Sequence, residues 1–153
     1  MACLLAFLIG VVVGLRSLAA PAVVSWAASL GWVPVGDTAL AFLGFPATPY
    51  VFTLFALGEL IADKLPKTPS RKAPLGLIAR VSSGALCGAA LGAPSHALIG
   101  GLAAGIVGAL VGTFGGYEFR VRLVNVTGGN DLKVALMEDA IAIGGAWLIV
   151  SRF

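Results

Sequence analysis

The sequence predicts an all-α integral membrane protein, a compact, glycine-rich bundle of about five transmembrane helices. Of its 153 residues, 59% are hydrophobic and only 11% are charged. A soluble domain usually carries about 25% charged residues, so this chain has too few to cover a water-exposed surface. Many of the 21 glycines recur at four-residue spacing, which is typical of closely packed membrane helices. We therefore expect one transmembrane domain over residues 1–153.

Five apolar segments are long enough to cross a bilayer, for which a helix needs about 20 residues. They cover Ala2–Leu30, Ala47–Leu65, Leu75–Leu91, Ala97–Phe119 and Leu132–Val150. The first of them has no basic n-region and no cleavage site, so we expect it to be retained as a span. A further apolar stretch, Thr38–Phe45, is too short to span and is expected to be interfacial or re-entrant.

The basic residues concentrate in two of the four connections between the predicted spans. These residues are Lys64, Lys67, Arg71 and Lys72 in one connection, and Arg120, Arg122 and Lys133 in the other. The positive-inside rule then predicts a cytoplasmic N-terminus and an external C-terminus, with Arg152 as the one residue that disagrees. The proline-rich stretch Leu65–Pro74 is expected to be a semi-rigid cytoplasmic lid. This distribution of the net charge of +3 indicates topology signals rather than nucleic-acid binding.

Arg16 lies inside the first apolar segment, where a charged side chain costs about 2.5–3.5 kcal/mol at the helix centre. Pro21 follows five residues later and would free the backbone carbonyl of Ser17. We therefore predict a broken helix with a polar site at Arg16 and Ser17, near or beyond the middle of the membrane. Such a break is tolerated where it lines a cavity or is buried in protein.

The other charged residues of the spans are expected to converge toward the cytoplasmic end. Arg80 shares a helix face with Gly84 and Gly88, so we expect it to point into a packed interface. We assign solute binding to Arg16, Ser17, Glu59, Arg80 and Glu138, and a gating or ion-pair network to Asp63, Lys64, Glu118 and Asp139. The competing interpretation is that these groups form structural ion pairs whose loss would affect folding alone.

Two sets of glycines form smooth helix faces on which another backbone can pack closely. They are Gly84, Gly88 and Gly92 on the third predicted span, and Gly101, Gly105, Gly108 and Gly112 on the fourth. We expect one face to pack within the bundle and the other to form a homo-oligomer contact. A faint two-helix repeat also relates Arg16 and Gly58–Lys64 to Arg80 and Gly116–Arg122.

The sequence identifies no catalytic residue and no cofactor, and it does not favour an enzyme. The carboxylates are of the type that binds Mg²⁺ or Ca²⁺, but the aspartate pattern of a metal-dependent lipid phosphotransferase is missing, so no metal is predicted. Cys3 and Cys87 lack C-x-x-C spacing and are expected to be small buried hydrophobes. His96 lies in a short outer loop, away from the carboxylates.

Four stretches resemble a family of small bacterial multi-span inner-membrane proteins that is classed as a domain of unknown function. The stretches are GLRSLAAPAVVSWAA (Gly14–Ala28), ELIADKLPKTPSR (Glu59–Arg71), ARVSSGAL (Ala79–Leu86) and EDAIAI (Glu138–Ile143). The resemblance covers nearly the whole chain and implies a multi-span protein of the bacterial inner membrane, but it implies no activity.

Our leading hypothesis is a small transporter or channel for a small polar or anionic solute, because charged groups inside membranes usually mark pathways or binding sites. Two alternatives belong to other classes. The first is a protein that binds or modifies lipid headgroups, with arginines holding a phosphate. The second is a structural partner protein whose glycine grooves receive a helix of another membrane protein. The expected partners are the lipid bilayer, further copies of this chain and an unidentified solute, with no nucleic acid.

Overall fold

The computed structural model describes residues 1–64 and 73–153, and this part of the chain forms six α-helices and no β-strand. The helices are α1 (Ala2–Leu15), α2 (Ala19–Ser29), α3 (Thr48–Ala62), α4 (Pro74–Gly92), α5 (Leu98–Val126) and α6 (Asp131–Val150). The all-α prediction is confirmed. Two helical segments, Pro74–Ser95 and Leu98–Val126, are long and apolar enough to cross a membrane, so the fold is compatible with a membrane bundle. Residues 65–72 of the predicted lid lie outside the described residues.

The predicted first span is two helices that meet at Arg16. α1 ends at Leu15, Arg16 is extended with φ −140° and ψ 114°, and α2 begins at Ala19. The helix is therefore broken, but Pro21 is not the cause, since it lies in the first turn of α2, where a missing N–H is tolerated. The break comes at the arginine itself.

α1 runs antiparallel to α6. Its C-terminal end lies beside the middle of α6, where Arg16 pairs with Asp139. One turn back along α1, Val12 lies 3.4 Å from the position that a Cβ on Gly145 would occupy. The start of α1 therefore lies on the same side of the bundle as the end of α6.

α2 instead runs parallel to α6 and so returns alongside α1. The first turns of α2 line a small cavity together with Ile143. Trp32, three residues beyond α2, contacts Trp147 edge to face, with ring centroids 5.1 Å apart. α1 and α2 thus form a helical hairpin whose turn is Arg16–Leu18, which we call the junction. The predicted placement of the two termini on opposite sides does not fit this arrangement, because both lie at the end away from the junction.

Glycines bring α1, α4 and α5 into backbone contact. A Cβ on Gly84 or Gly88 would overlap with the backbone of α5, and one on Gly108 or Gly112 would overlap with that of α1. Both predicted glycine faces are therefore filled within the chain, by the contacts of α5 with α4 and with α1. A homo-oligomer would need a different surface from either of these faces.

The other layer of the bundle contains α2, α3 and α6. Trp26 links α2 to α3, since its Nε1 donates to Thr53 Oγ1 at 3.1 Å and its ring contacts Tyr50. The apolar stretch Thr38–Phe45 forms a 3-10 turn at Ala41–Gly44 that packs on α2. Its Leu43 is buried. α3 packs mainly on α2 and this turn, so it is the most peripheral helix.

The close approach of α4 and α5 predicts opposite effects for two glycine substitutions. Gly105→Ala should lower the free energy of unfolding by about 1–3 kcal/mol, because the new Cβ would meet the carbonyl of Gly84. Gly58→Ala, on α3, should leave the free energy of unfolding unchanged or raise it by up to about 1 kcal/mol, because nothing lies within 4 Å of its Cβ position. Chemical unfolding in detergent micelles measures both, and equal effects would contradict the contact.

Candidate functional site

Arg16 is fully buried, with 0% of its surface exposed, and pairs with carboxylates from two other helices. Its Nη1 donates to Asp63, the residue that follows α3, and its Nη2 lies 2.6 Å from Oδ1 of Asp139 in α6. The contact with Asp139 is an ion pair without hydrogen-bond alignment, and the described residues offer no acceptor to Arg16 Nε. The charge of Arg16 is thus balanced, while its hydrogen-bonding capacity is only partly used.

Lys64 adds a second cation to the cluster. Its Nζ lies 3.1 Å from Oδ2 of Asp139 and donates to the backbone carbonyl of Leu60 at 3.1 Å. Asp139 therefore bridges Lys64 and Arg16. Arg16 and Lys64 thus balance the charges of Asp63 and Asp139, and such pairing is the condition under which buried charges are tolerated.

Glu59 holds the start of α2. Its carboxylate accepts hydrogen bonds from the Ser17 N–H and the Leu18 N–H, both at 2.8 Å, and from the Ser17 hydroxyl at 2.5 Å. Leu18 is the N-cap residue of α2 and Ser17 precedes it, so the Glu59 carboxylate lies beside the end of the helix at which its dipole is positive. Since no side chain of α2 itself caps this end, a carboxylate from α3 takes that role.

The spacing on α3 explains why the junction is organised in this way. Glu59 and Asp63 are four residues apart and therefore share one face of the helix end. One helix thus presents two carboxylates to the junction, one to the backbone of α2 and one to the guanidinium of Arg16. The structure joins Arg16, Ser17 and Glu59 of the predicted binding set with Asp63, Lys64 and Asp139 of the predicted gating set, so part of each set forms one cluster.

Arg80 and Glu118 lie elsewhere on the helices. Arg80 is buried in α4, as its spacing to Gly84 and Gly88 predicted. Its Nη1 donates to the backbone carbonyl of Gly76 at 3.1 Å. Because Arg16 lies in a turn and Arg80 lies inside a helix, the two arginines of the predicted repeat occupy different environments. Glu118 lies on the exposed surface of α5.

A second ion-pair group connects α5 to α6 and holds Glu138 apart from the junction cluster. Glu138 was predicted from the sequence as a binding residue, whereas Arg120 and Asp131 were missed. Arg120 donates through Nε and Nη2 to Asp131, at 2.9–3.1 Å, and its Nη1 lies 3.4 Å from Glu138. The sequence signal is the glycine pair Gly128–Gly129, whose positive φ angles of 70° and 86° turn the chain back. A tight turn there brings Asp131 opposite the last turns of α5.

The described residues contain no group of three or more His, Cys, Asp or Glu side chains that could hold a metal ion. At the junction, each of the two aspartates faces a cation.

Comparison with known proteins supports a family assignment. A family described as a domain of unknown function, DUF4126, matches residues 3–151. No curated protein matches the chain. No solved structure matches it either.

Loss of the Glu59 carboxylate should loosen the start of α2. Glu59→Gln should lower the free energy of unfolding by about 1–3 kcal/mol, because a neutral amide with one oxygen replaces an acceptor of three hydrogen bonds. The amide protons of Ser17 and Leu18 should exchange faster in hydrogen–deuterium exchange. Asp37→Asn, an exposed loop substitution, is the control, and equal exchange at the junction in both variants would refute the capping role.

The pairing of Arg16 with Asp63 should appear in a double-mutant cycle. Arg16→Gln should lower the free energy of unfolding by about 3–5 kcal/mol, because it leaves Asp63 without its cation, and Asp63→Asn should lower it by less, because Arg16 keeps its contact with Asp139. Together they should lower it by clearly less than the sum. Asp131→Asn, which breaks an exposed pair, should change it by about 1 kcal/mol at most. Additive effects of the two junction variants would exclude a coupled pair.

Proposed function

We propose that this chain, which belongs to the DUF4126 family of unknown function, is a small membrane transporter or channel for an anionic solute, with the junction as its gate. The observation that supports this function best is a fully buried arginine at a helix break, facing carboxylates from two other helices. Ionisable groups inside a membrane are rare and usually mark a pathway or a binding site.

We place the protein in the bacterial inner membrane with the junction toward the cytoplasm. Seven of the ten basic residues lie in the sequence stretches Lys64–Lys72, which follows α3, and Arg120–Lys133, which joins α5 to α6, as the positive-inside rule requires of cytoplasmic segments. Both termini then face outward. α1 has 14 residues and is about 21 Å long, so the junction lies inside a hydrocarbon core of about 30 Å. Non-helical backbone at that depth is tolerated only when it is buried in protein or lines a cavity.

The carboxylate of Glu59 supports an anionic solute. In transporters with broken helices, the N-terminus of a half-helix commonly points at the anionic group of the substrate. Here the N-terminus of α2 points at the carboxylate of Glu59, within hydrogen-bonding distance of two N–H groups and one hydroxyl. Glu59 thus occupies the position that we assign to a solute carboxylate or similar anion, and Arg16 Nε is a further buried donor at the junction.

α3 is the element that we propose to move. It carries Glu59 and is followed directly by Asp63, so a single displacement would release the junction amides and one side of Arg16 together. Because α3 packs mainly on α2 and on the 3-10 turn, fewer contacts oppose its movement than that of α1, α4 or α5. Two discrete positions of α3 would then correspond to a closed and an open gate.

The alternatives draw less support from the geometry. A lipid phosphate at Arg16 would compete with two carboxylates that already hold the guanidinium. A partner helix in the glycine grooves would compete with the chain's own helices.

Flux through proteoliposomes tests the gate. Vesicles with the wild-type protein should take up labelled chloride, acetate or inorganic phosphate faster than empty vesicles. Asp63→Asn removes one of the contacts that hold the gate closed, and a loss of only about 1.4 kcal/mol would raise the open population about tenfold. Uptake should increase accordingly.

The matched control is Asp131→Asn, which removes a similar aspartate from a pair outside the junction and should behave like the wild type. Wild-type vesicles that stay impermeable to all three anions would refute the proposal, and so would equal uptake by the two variants. Thermal unfolding of each variant separates loss of folding from a change of gating.

A further inference from the structure

A cavity of about 270 Å³ opens between α5 and α6, next to the end of α1. Its walls are glycine and large apolar side chains, among them Phe119, Met137 and Ile141. The lining includes two charged residues, Arg120 and Glu138. The cavity thus has an apolar body and a charged group at one side, which is the chemistry of an amphiphile.

The cavity exists because two helices joined by a short turn stand apart. α5 packs extensively on α1 and α4 but hardly touches α6, although only residues 127–130 separate α5 from α6. The ion pairs of Arg120 with Asp131 and Glu138 connect the two helices. An empty apolar gap is unfavourable because the side chains on its walls lose their contacts, and an apolar cavity does not hold water well. An apolar occupant removes this penalty.

The cavity opens sideways, toward the surface that a bilayer would cover. Phe119 is 60% exposed and Met137 is 54% exposed, although both line the cavity. Lipid acyl chains would surround this opening in the membrane. A cavity of 150 Å³ can take up benzene, so one of about 270 Å³ has room for a segment of an acyl chain.

We infer that this cavity binds one membrane phospholipid, whose acyl chain lies between α5 and α6 and whose phosphate is held by Arg120. The guanidinium of Arg120 is now bonded to Asp131, whose side chain is 61% exposed. Exposed ion pairs contribute little to stability, so a phosphate can replace this carboxylate. Arginine binds both groups in the same two-bond geometry.

The preference for an anionic phospholipid depends on Arg120 itself. Around it, the three basic side chains Arg120, Arg122 and Lys133 are matched in number by the acidic side chains Glu118, Asp131 and Glu138. Basic residues near a membrane surface attract anionic headgroups, and the guanidinium of Arg120 repels the cationic group of a zwitterionic one. This inference depends on the proposed membrane location but not on transport, and it uses residues outside the junction.

Two glycines allow the cavity to be filled without disturbing the fold. A Cβ on Gly115, which lines the cavity, meets nothing within 4 Å, and the same is true of Gly144 on α6, which does not line it. Gly115→Leu therefore blocks the acyl chain, and Gly144→Leu is a matched control with the same change in helix propensity. Each variant is purified in detergent, mixed with equal amounts of phosphatidylglycerol and phosphatidylcholine, and analysed by native mass spectrometry.

The wild type and Gly144→Leu should each retain one phospholipid per chain, with phosphatidylglycerol preferred. Gly115→Leu should retain about tenfold less, the factor expected when the burial of about two methylene groups is lost. Arg120→Gln should keep a bound lipid but lose the preference for phosphatidylglycerol.

Three outcomes would overturn the inference: no lipid on the wild type, equal retention by Gly115→Leu and Gly144→Leu, or a changed oligomeric state of Gly115→Leu with unchanged lipid. The last result would identify the cavity as a protein interface. If Arg120→Gln kept the preference for phosphatidylglycerol, Arg120 would not be the residue that holds the phosphate. Lipid retention and anion flux are separate measurements. A failure to retain lipid would therefore leave the proposed gate intact, and a failed flux test would leave the lipid site intact.

Discussion

The rest of the structure depends on how one broken helix is satisfied at Arg16. A buried guanidinium needs anions, and the exposed amides at the start of α2 need acceptors. Both needs are met by α3, through Asp63 and Glu59, while Asp139 of α6 balances the remaining charge. The junction therefore fixes α3 and α6 against the α1–α2 hairpin. Without these contacts, neither the reversal of the chain nor the burial of the arginine would be stable.

Close packing through glycines makes α1, α4 and α5 the rigid part of the bundle. α1, α4 and α5 are in backbone contact, with positions such as Gly84 and Gly112 too close to a neighbour to carry a side chain. α3 has no such contacts and lies at the edge of the bundle. The molecule thus combines a close-packed half with a more loosely attached helix that carries two of the junction's carboxylates. This difference in packing is the physical basis for assigning movement to α3 and a fixed role to α5.

The sequence predicted some helices well and others poorly, for identifiable reasons. The third and fifth predicted spans agree with α4 and α6 within a residue, because both are apolar segments that start at Pro74 and Asp131. α5 continues to Val126, seven residues beyond its predicted end, because a helix need not stop where the apolar segment stops. The burial of Arg80 followed from its spacing to Gly84. The pairing of Arg120 with Asp131 was missed because the charges were interpreted as topology signals alone.

The sequence by itself determined the all-α class, the approximate helices and the residues that form the junction, because hydropathy, glycine spacing and buried charge are local properties of the chain. Only the tertiary structure decided that α2 turns back beside α1, that Glu59 caps α2, and that both glycine faces are filled internally. A single extended residue at Arg16 is compatible with many directions of the following helix. The direction was decided by contacts between residues more than 40 positions apart, such as Ser17 with Glu59, which no local pattern encodes.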